Sequence, residues 1–175
     1  MRRAALLALA IAVPVAATHA AALVVTKSAT IVSDQVNLLA PKAIPNAVID
    51  YTLRGENPNS ILSGQSFGGV VIEDTIPISV MLRVDDYGGR GSGPVEFTDG
   101  SLLGLGLLGS GLSYGFGGLS SDSDGLEFSD GGSWTYTPVA DAAGYDARVR
   151  AIRIRLTGTH APSSSFRLRF RVKLK

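Results

Sequence analysis

The residues best suited to chemistry lie near the end of the chain, where cationic side chains alternate with apolar ones. The alternation runs through residues 152–156 and again through residues 166–175. A period of two is typical of β-strands with one buried and one exposed face. The sequence predicts that these two strands pair as an antiparallel hairpin, which would place six cations on one sheet face. These candidate anion-binding residues are Arg153, Arg155, Arg167, Arg169, Arg171 and Lys173.

A basic sheet face of this kind has two interpretations. It would attract polyanions, such as an envelope polysaccharide or lipid phosphate, because clustered cations bind oxyanions through charge-assisted hydrogen bonds. It would also form for purely structural reasons, because acidic side chains on neighbouring strands relieve cation repulsion and because Lys and Arg protect exposed sheet edges. The acids in strand-like segments are Glu73, Asp74, Glu96 and Glu127. Their presence favours the structural interpretation.

A Ser, Asp and His in the order of an α/β-hydrolase triad raise the question of nucleophilic catalysis. Ser113 lies in a Gly-x-Ser-x-Gly pattern, and Asp141 or Asp146 precedes His160. That pattern works only on a sharp strand-to-helix turn of an α/β sheet, and no stretch of the sequence shows sustained helical periodicity. His160 occurs among Gly, Pro and Ser residues, so we expect it to be solvated. The sequence therefore predicts that the protein is not an enzyme.

Two further motifs point to cofactors and are not supported by their surroundings. Residues 104–109 fit the Gly-x-Gly-x-x-Gly dinucleotide pattern, but the glycine-rich stretch that follows cannot form the required helix. Asp122, Asp124 and Glu127 resemble a calcium loop, with Asp85 and Asp86 as further candidate ligands, but the glycine and ligand positions are out of register. We interpret these acids as turn residues and predict no metal or cofactor.

The first 22 residues have the features of a secretory signal peptide. Two arginines precede a short apolar run, and the small residues that follow suit cleavage after either Ala20 or Ala22. The apolar run is too short for a membrane span, which needs about 20 residues. The chain contains no cysteine. The sequence thus predicts export to the periplasm, the cell surface or the medium, with no integral membrane span after cleavage.

Residues 23–175 have the length of a single domain, with an uneven distribution of charge. Residues 23–146 carry all fifteen acidic residues of the chain, whereas residues 147–175 carry nine cations and no acid. The two parts should attract one another, as neighbouring strands of opposite charge would. The mature chain has a net charge of −1, and this value together with export argues against nucleic acid as a partner.

About eight short strands at regular spacing predict an all-β sandwich or barrel. They include residues 23–32, 48–54, 70–74, 80–84, 95–98, 126–129 and the two basic strands. Asp130 and Gly131 separate residues 126–129 from residues 134–137, and Asp-Gly between such segments indicates a tight β-hairpin.

Several motifs resemble an immunoglobulin-like conserved-repeat domain of unknown function that is found in bacterial exported and cell-surface proteins. The residues that carry the resemblance are 41–47, Tyr51, Thr52, Asn57, 71–77, 110–114, 128–138 and 165–172. The resemblance implies an antiparallel immunoglobulin-like β-sandwich of about seven to nine strands in residues 23–175. It contributes no catalytic residues, and the chain holds one copy, whereas similar domains often occur in tandem.

Together these features predict an exported, non-enzymatic β-sandwich with a structural or interaction role in the bacterial envelope or outside the cell. Its partner would be an envelope protein, a glycan or a second copy of the chain. The alternative is a binding module that uses the Arg-rich face for an anionic glycan or a lipid head group.

Overall fold

The fold is built from β-strands, and the computed structural model describes residues 21–100 and 109–175. The only helix within these residues is a 3-10 turn, Ile61–Ser63, and no helix in them is long and apolar enough to cross a membrane. The strands are β1 (Val24–Ser33), β2 (Val48–Glu56), β3 (Phe67–Gly68), β4 (Val71–Thr75), β5 (Val80–Arg83), β6 (Val95–Asp99), β7 (Leu112–Ser113), β8 (Leu126–Ser129), β9 (Tyr145–Asp146), β10 (Ala151–Arg155), β11 (Thr157–His160) and β12 (Ser165–Leu174).

The largest sheet has six strands, and the C-terminal strand β12 lies at its centre. On one side β12 pairs with β2 along nine residues, and β2 pairs with β1, which forms the edge. On the other side, β6 pairs with the first half of β12, and β5 pairs with the last three residues of β12. The short strand β9 pairs with the other side of β5. Every pair is antiparallel. One long strand thus organises the whole sheet.

Two three-stranded antiparallel sheets make up the rest of the fold, in the orders β4-β10-β8 and β3-β11-β7. They are contiguous because a single residue, Leu156, connects β10 to β11. The Leu156 amide donates a hydrogen bond to the Val70 carbonyl at 2.9 Å. The predicted all-β class with antiparallel sheets is therefore confirmed. The described residues form twelve strands, and the sequence prediction omitted β3, β7, β9 and β11, which have two to four residues each.

The apolar faces of the sheets share one hydrophobic core. The period-two interpretation of the basic strands is confirmed, because their apolar residues are almost completely buried. From the large sheet the core takes Ile49, Leu53, Val80, Leu82, Val95, Phe166, Leu168, Phe170 and Val172, and from the small sheets Ile72, Leu112, Leu126, Phe128, Ile152 and Ile154. This shared burial is the main force that holds the sheets together.

The predicted hairpin between the two basic strands is wrong. β10 pairs with β4 and β8, whereas β12 pairs with β2, β5 and β6, so the two strands belong to different sheets. Charge favours the observed partners, because pairing the two strands with each other would set several arginines opposite arginines, whereas here only Arg167 faces another arginine, Arg54. Each basic strand instead has acidic strands beside it.

The turn of the predicted Asp130-Gly131 hairpin is present in the structure, but the predicted second strand of the hairpin is not. The chain reverses there, and the Tyr136 amide donates to the Phe128 carbonyl at 3.2 Å. Residues 134–137 nevertheless form no strand. The Trp134 ring instead lies over Arg153, with the guanidinium carbon 4.0 Å from the ring centroid, so this segment covers a charged side chain.

Candidate functional site

The six candidate cations lie on two different sheet faces, so the predicted single basic face does not form. Arg153 and Arg155 are on β10, on the outer face of the small sheet, because the alternating Ile152 and Ile154 point into the core. The remaining four alternate with the buried residues of β12 and lie on the outer face of the six-stranded sheet. These four are Arg167, Arg169, Arg171 and Lys173.

Arg153 lies between two glutamates on the small sheet. The register places it opposite Glu73 on β4 and Glu127 on β8. Its Nε donates to Glu73 at 2.7 Å and its Nη1 to Glu127 at 3.0 Å. Arg155 adds two hydrogen bonds of 3.2 Å to the same Glu127 carboxylate. Partial burial raises the pKa of Glu127, but the hydrogen bonds from Arg155 and Arg153 outweigh it and hold this pKa below its usual range.

Arg171 and Asp50 form the most enclosed ion pair of the described residues on the large sheet. Two guanidinium nitrogens donate to the two carboxylate oxygens at 2.6 and 2.9 Å, a bidentate geometry that is stronger than a single contact. The Tyr87 hydroxyl donates to the same carboxylate at 2.6 Å. Burial raises the pKa of Asp50, yet the hydrogen bonds from Arg171 and Tyr87 lower it by more, so Asp50 stays ionised.

Arg169 completes a charged cluster next to this pair. Its Nε and Nη2 lie 2.7 Å from the Glu96 carboxylate on β6. The guanidinium carbons of Arg169 and Arg171 lie 5.1 and 5.2 Å from the centroid of the Tyr87 ring. Cations at this distance from an aromatic face are attracted to it, so the Tyr87 ring stabilises both guanidinium groups on this face.

The prediction that strand acids neutralise the basic strands is confirmed for three of its four residues. Glu73, Glu96 and Glu127 each pair with an arginine of β10 or β12. Asp74 instead pairs with Lys27 on β1 at 2.7 Å, because alternation turns Asp74 away from Arg153. Most of the candidate cations therefore contribute to sheet pairing.

Arg167 and Lys173 differ from the other four because neither pairs with a carboxylate of the described residues. Arg167 is opposite Arg54 on β2 and Thr98 on β6, and its one side-chain hydrogen bond to the described residues is a 3.4 Å bond to the Thr98 hydroxyl. The Lys173 ammonium lies 4.4 Å from the centroid of the Tyr145 ring. Of the six candidate cations, these two are the ones that have no carboxylate partner among the described residues and so could bind an external anion.

The outer face of the six-stranded sheet consequently has more cations than acids among its strand residues. Its cations are Arg54, Arg83, Arg167, Arg169, Arg171 and Lys173, and its carboxylates are Asp50, Glu56 and Glu96. The outer face of the small sheet is balanced, since Arg153 and Arg155 match Glu73 and Glu127. Anions should therefore be attracted mainly to the outer face of the six-stranded sheet, which includes β12.

The described contacts do not assemble the Ser, Asp and His into a catalytic unit. Asp146 accepts hydrogen bonds from the Tyr136 hydroxyl and from the Val139 and Arg148 amides, and Asp141 accepts from loop amides. Neither ring nitrogen of His160 makes a hydrogen bond. A general base needs a hydrogen bond to its nucleophile and one to its orienting acid, and neither is formed here.

His160 itself is buried, so the expectation of a solvated residue is wrong. It lies on β11 with no exposed surface, between the rings of Phe166 and Phe67, at centroid distances of 5.3 and 6.4 Å. Burial lowers the pKa of the imidazole, an effect that the Ser164 backbone and the Asp99 carboxylate oppose only in part. His160 is therefore a neutral core aromatic at pH 7.

The other sequence candidates are held in loops or lie outside the described residues. No group of three or more His, Cys, Asp or Glu residues in the described part of the chain could hold a metal ion. Asp124 accepts hydrogen bonds from the Gly117 and Leu126 amides, and Asp86 from the Gly91 and Gly93 amides. Most of the dinucleotide motif, residues 104–108, and residues 1–20 of the signal peptide lie outside the described residues.

A groove that the sequence analysis did not single out runs beside Tyr114. It has a volume of about 620 Å³, and its lining includes Tyr114, Phe116, Asp124 and Arg155. The Tyr114 hydroxyl is buried without a hydrogen-bond partner, and burial raises its pKa. Asp124 and Arg155 already bind a loop amide and Glu127, respectively, so the groove presents mainly apolar surface.

Sequence analysis also missed Asp50 and Tyr87, the partners of Arg171. Asp50 could have been found, because residues 49–53 alternate apolar and polar side chains and so place Asp50 on the outer face of β2. No local pattern indicates Tyr87, which reaches the site from a loop between β5 and β6.

Comparison of the chain with protein-family models, with curated proteins and with solved structures found no match.

Proposed function

We propose that this chain is an exported, non-enzymatic immunoglobulin-like β-sandwich that acts by association in the bacterial envelope or outside the cell. The proposal rests on one observation: the charged side chains of this chain that could take part in catalysis are paired with one another. Arg153, Arg155, Arg169 and Arg171 all form ion pairs with carboxylates of other strands. Side chains that are paired in this way stabilise the contacts between strands and form a charged surface. They do not form a general acid–base pair.

The N-terminal sequence supports export, and a backbone contact supports cleavage after Ala20. The Asn59 side chain accepts a hydrogen bond from the Ala21 nitrogen and donates one to the Ala21 carbonyl, both at 2.9 Å. Cleavage after Ala20 makes Ala21 the first residue and keeps both contacts, whereas cleavage after Ala22 removes them. The mature chain of this proposal therefore begins at Ala21.

Fractionation of the native cells, followed by intact-mass measurement of the protein, tests this proposal. The expected result is recovery from the envelope or the medium of a chain that has lost its first 20 residues. Loss of 22 residues would keep export and move the cleavage site. Recovery of the complete 175-residue chain from the cytoplasm would contradict the proposal.

A second candidate function is binding of an anionic glycan or lipid head group by the outer face of the six-stranded sheet. The excess of cations on that face favours it, since Arg167 and Lys173 have no carboxylate partner among the described residues. Clustered cations of this kind attract anionic surfaces, and the attraction weakens as salt screens it. This function would use only the outer face of the six-stranded sheet. Arg153 and Arg155 would then serve only to stabilise strand pairing in the small sheet.

Replacement of Arg167 by glutamine distinguishes the second candidate. Binding to vesicles that contain phosphatidylglycerol, or to alginate, should weaken about fivefold, because one cation near an anionic surface contributes about 1 kcal/mol. The matched control is Arg155→Gln, which removes the same charge from the outer face of the small sheet and should leave binding unchanged. Equal binding by both variants, or binding that does not respond to salt, would rule out this function.

A further inference from the structure

The N-terminal strand β1 is a long sheet edge with an unused side. It pairs with β2 along nine residues, and no other strand in the described part of the chain pairs with it. Nine of its ten residues are exposed. Its free side therefore presents a row of backbone amides and carbonyls that another strand can bind.

The β1 edge has little of the protection that sheet edges usually carry. It contains no proline or glycine, and its one charged residue is Lys27. The Lys27 ammonium lies 2.7 Å from Asp74 and 4.3 Å from the centroid of the Tyr51 ring, so it is turned inward. A register shift between Ile31 and Ser33 occurs only at the end of the strand. The rest of the edge is regular and rich in β-branched residues, which favours pairing.

The sequence of β1 is nearly palindromic about Ser28. If two copies run antiparallel with Ser28 opposite Ser28, the directly opposed pairs in the regular part of the strand are Val25 with Ile31, Thr26 with Thr30, and Lys27 with Ala29. β-Branched residues face β-branched residues, and threonine faces threonine, which are favourable cross-strand pairs. In this register Lys27 faces Ala29 and is a diagonal, not a directly opposed, neighbour of the Lys27 of the second copy.

Symmetry allows this register. A two-fold axis perpendicular to the sheet reverses the strand direction and keeps each sheet face on the same side, so opposed residues must have the same inward or outward orientation. Pairing about a residue meets that condition, because every opposed pair is then separated by an even number of positions. The outward residues Thr26 and Ser28 meet outward residues, and Lys27 meets the inward Ala29.

We propose that the chain forms a two-fold symmetric dimer in which the β1 strands of two copies pair antiparallel, centred on Ser28. This inference deepens the proposed function, on which it rests, by naming a second copy of the chain as the partner. The two six-stranded sheets then become one continuous sheet across the interface. The regular ladder, residues 25–31, spans about 24 Å, at about 3.4 Å per residue. A single ladder buries less surface than a standard interface, so the dimer depends on protein concentration.

Sedimentation of the mature chain over a range of concentrations tests the dimer, with substitutions at its symmetry centre. Ser28→Lys and Ser28→Glu each place two like charges opposite one another, and each should weaken dimerisation about tenfold or more. Mixing the two variants should restore a dimer, because lysine then faces glutamate across the axis. Thr157→Lys, at an exposed position of β11, is the matched control and should not change dimerisation.

Rescue on mixing separates the loss of this interface from damage to the fold. A substitution that only damaged the fold would not be repaired by a second copy with the opposite charge, and thermal unfolding followed by circular dichroism checks that each variant is folded. A wild-type chain that stays monomeric at its highest soluble concentration would overturn the dimer, as would variants that dimerise like the wild type or fail to recover on mixing. An exported monomer would overturn the dimer and leave the proposed export intact.

Discussion

Replacement of Phe166 by alanine is expected to lower the free energy of unfolding by about 3–5 kcal/mol. Phe166 is 1% exposed and lies on the central strand β12. Its ring packs against His160 at a centroid distance of 5.3 Å and against Phe97 at 6.3 Å. Removal of the ring leaves a cavity where both small and large sheets contribute atoms, and such a site cannot collapse easily.

Urea unfolding at pH 7 measures this loss. Leu62→Ala is the matched control, because Leu62 is 98% exposed and its truncation should change stability by less than about 0.5 kcal/mol. A change of under about 1 kcal/mol for Phe166→Ala would contradict the position of β12 at the centre of the core.

Gly55 provides an independent check on the same packing. A Cβ added at Gly55 would lie 2.3 Å from the Phe166 ring, so Gly55→Ala should destabilise the wild-type protein by about 1–3 kcal/mol. In the Phe166→Ala background the ring is gone, and most of this cost should disappear. Additive effects of the two substitutions would mean that Phe166 does not cover Gly55.

Replacement of Asp50 by alanine is expected to cost about 2–3 kcal/mol, because it leaves both Arg171 and the Tyr87 hydroxyl without their acceptor. The Asp50 and Arg171 side chains are 11% and 24% exposed, so water compensates only partly for the lost contacts. Glu56→Ala is the matched control: it breaks the Arg54 pair, whose side chains are 58% and 42% exposed, and should cost less than about 1 kcal/mol.

The contribution of Asp50 should also depend on pH, in a direction set by its pKa. Because the folded protein holds the pKa of Asp50 below its ordinary value of 3.8, the unfolded chain binds a proton more readily. The stabilisation is therefore present above that value and is lost as the pH falls through it towards the lowered pKa. Urea unfolding of the wild type and Asp50→Ala should differ less at pH 3 than at pH 7. An unchanged difference would contradict the ion pair.

The sequence was informative about which face each residue occupies and less so about which strands are neighbours. Alternation correctly assigned Ile152, Phe166 and Phe170 to the core, because burial of one strand face depends on a local period of two. Strand pairing depends on contacts between distant segments, such as Arg171 with Asp50, 121 residues apart. The hairpin between β10 and β12 was wrong for that reason.

Local composition also misled where tertiary contacts decide burial. His160 occurs among Gly, Pro and Ser residues, yet the rings of Phe67 and Phe166 enclose it. The strand acids Glu73, Glu96 and Glu127 could be predicted as partners of the arginines, because a basic strand needs acidic neighbours. Tyr87 could not, since its loop reaches the site only in the folded chain.

Cross-linking in the native cell tests most directly the claim that this domain acts by association. A photo-reactive residue at Thr26 lies on the β1 edge, and one at Thr157 on β11 is the control. The expected result is an adduct from Thr26, in the envelope or the medium, between two mature chains, with none from Thr157. An adduct with a different envelope protein would keep the claim of association and reject the dimer. A full-length cytoplasmic chain that forms no adduct from either position would contradict the claim itself.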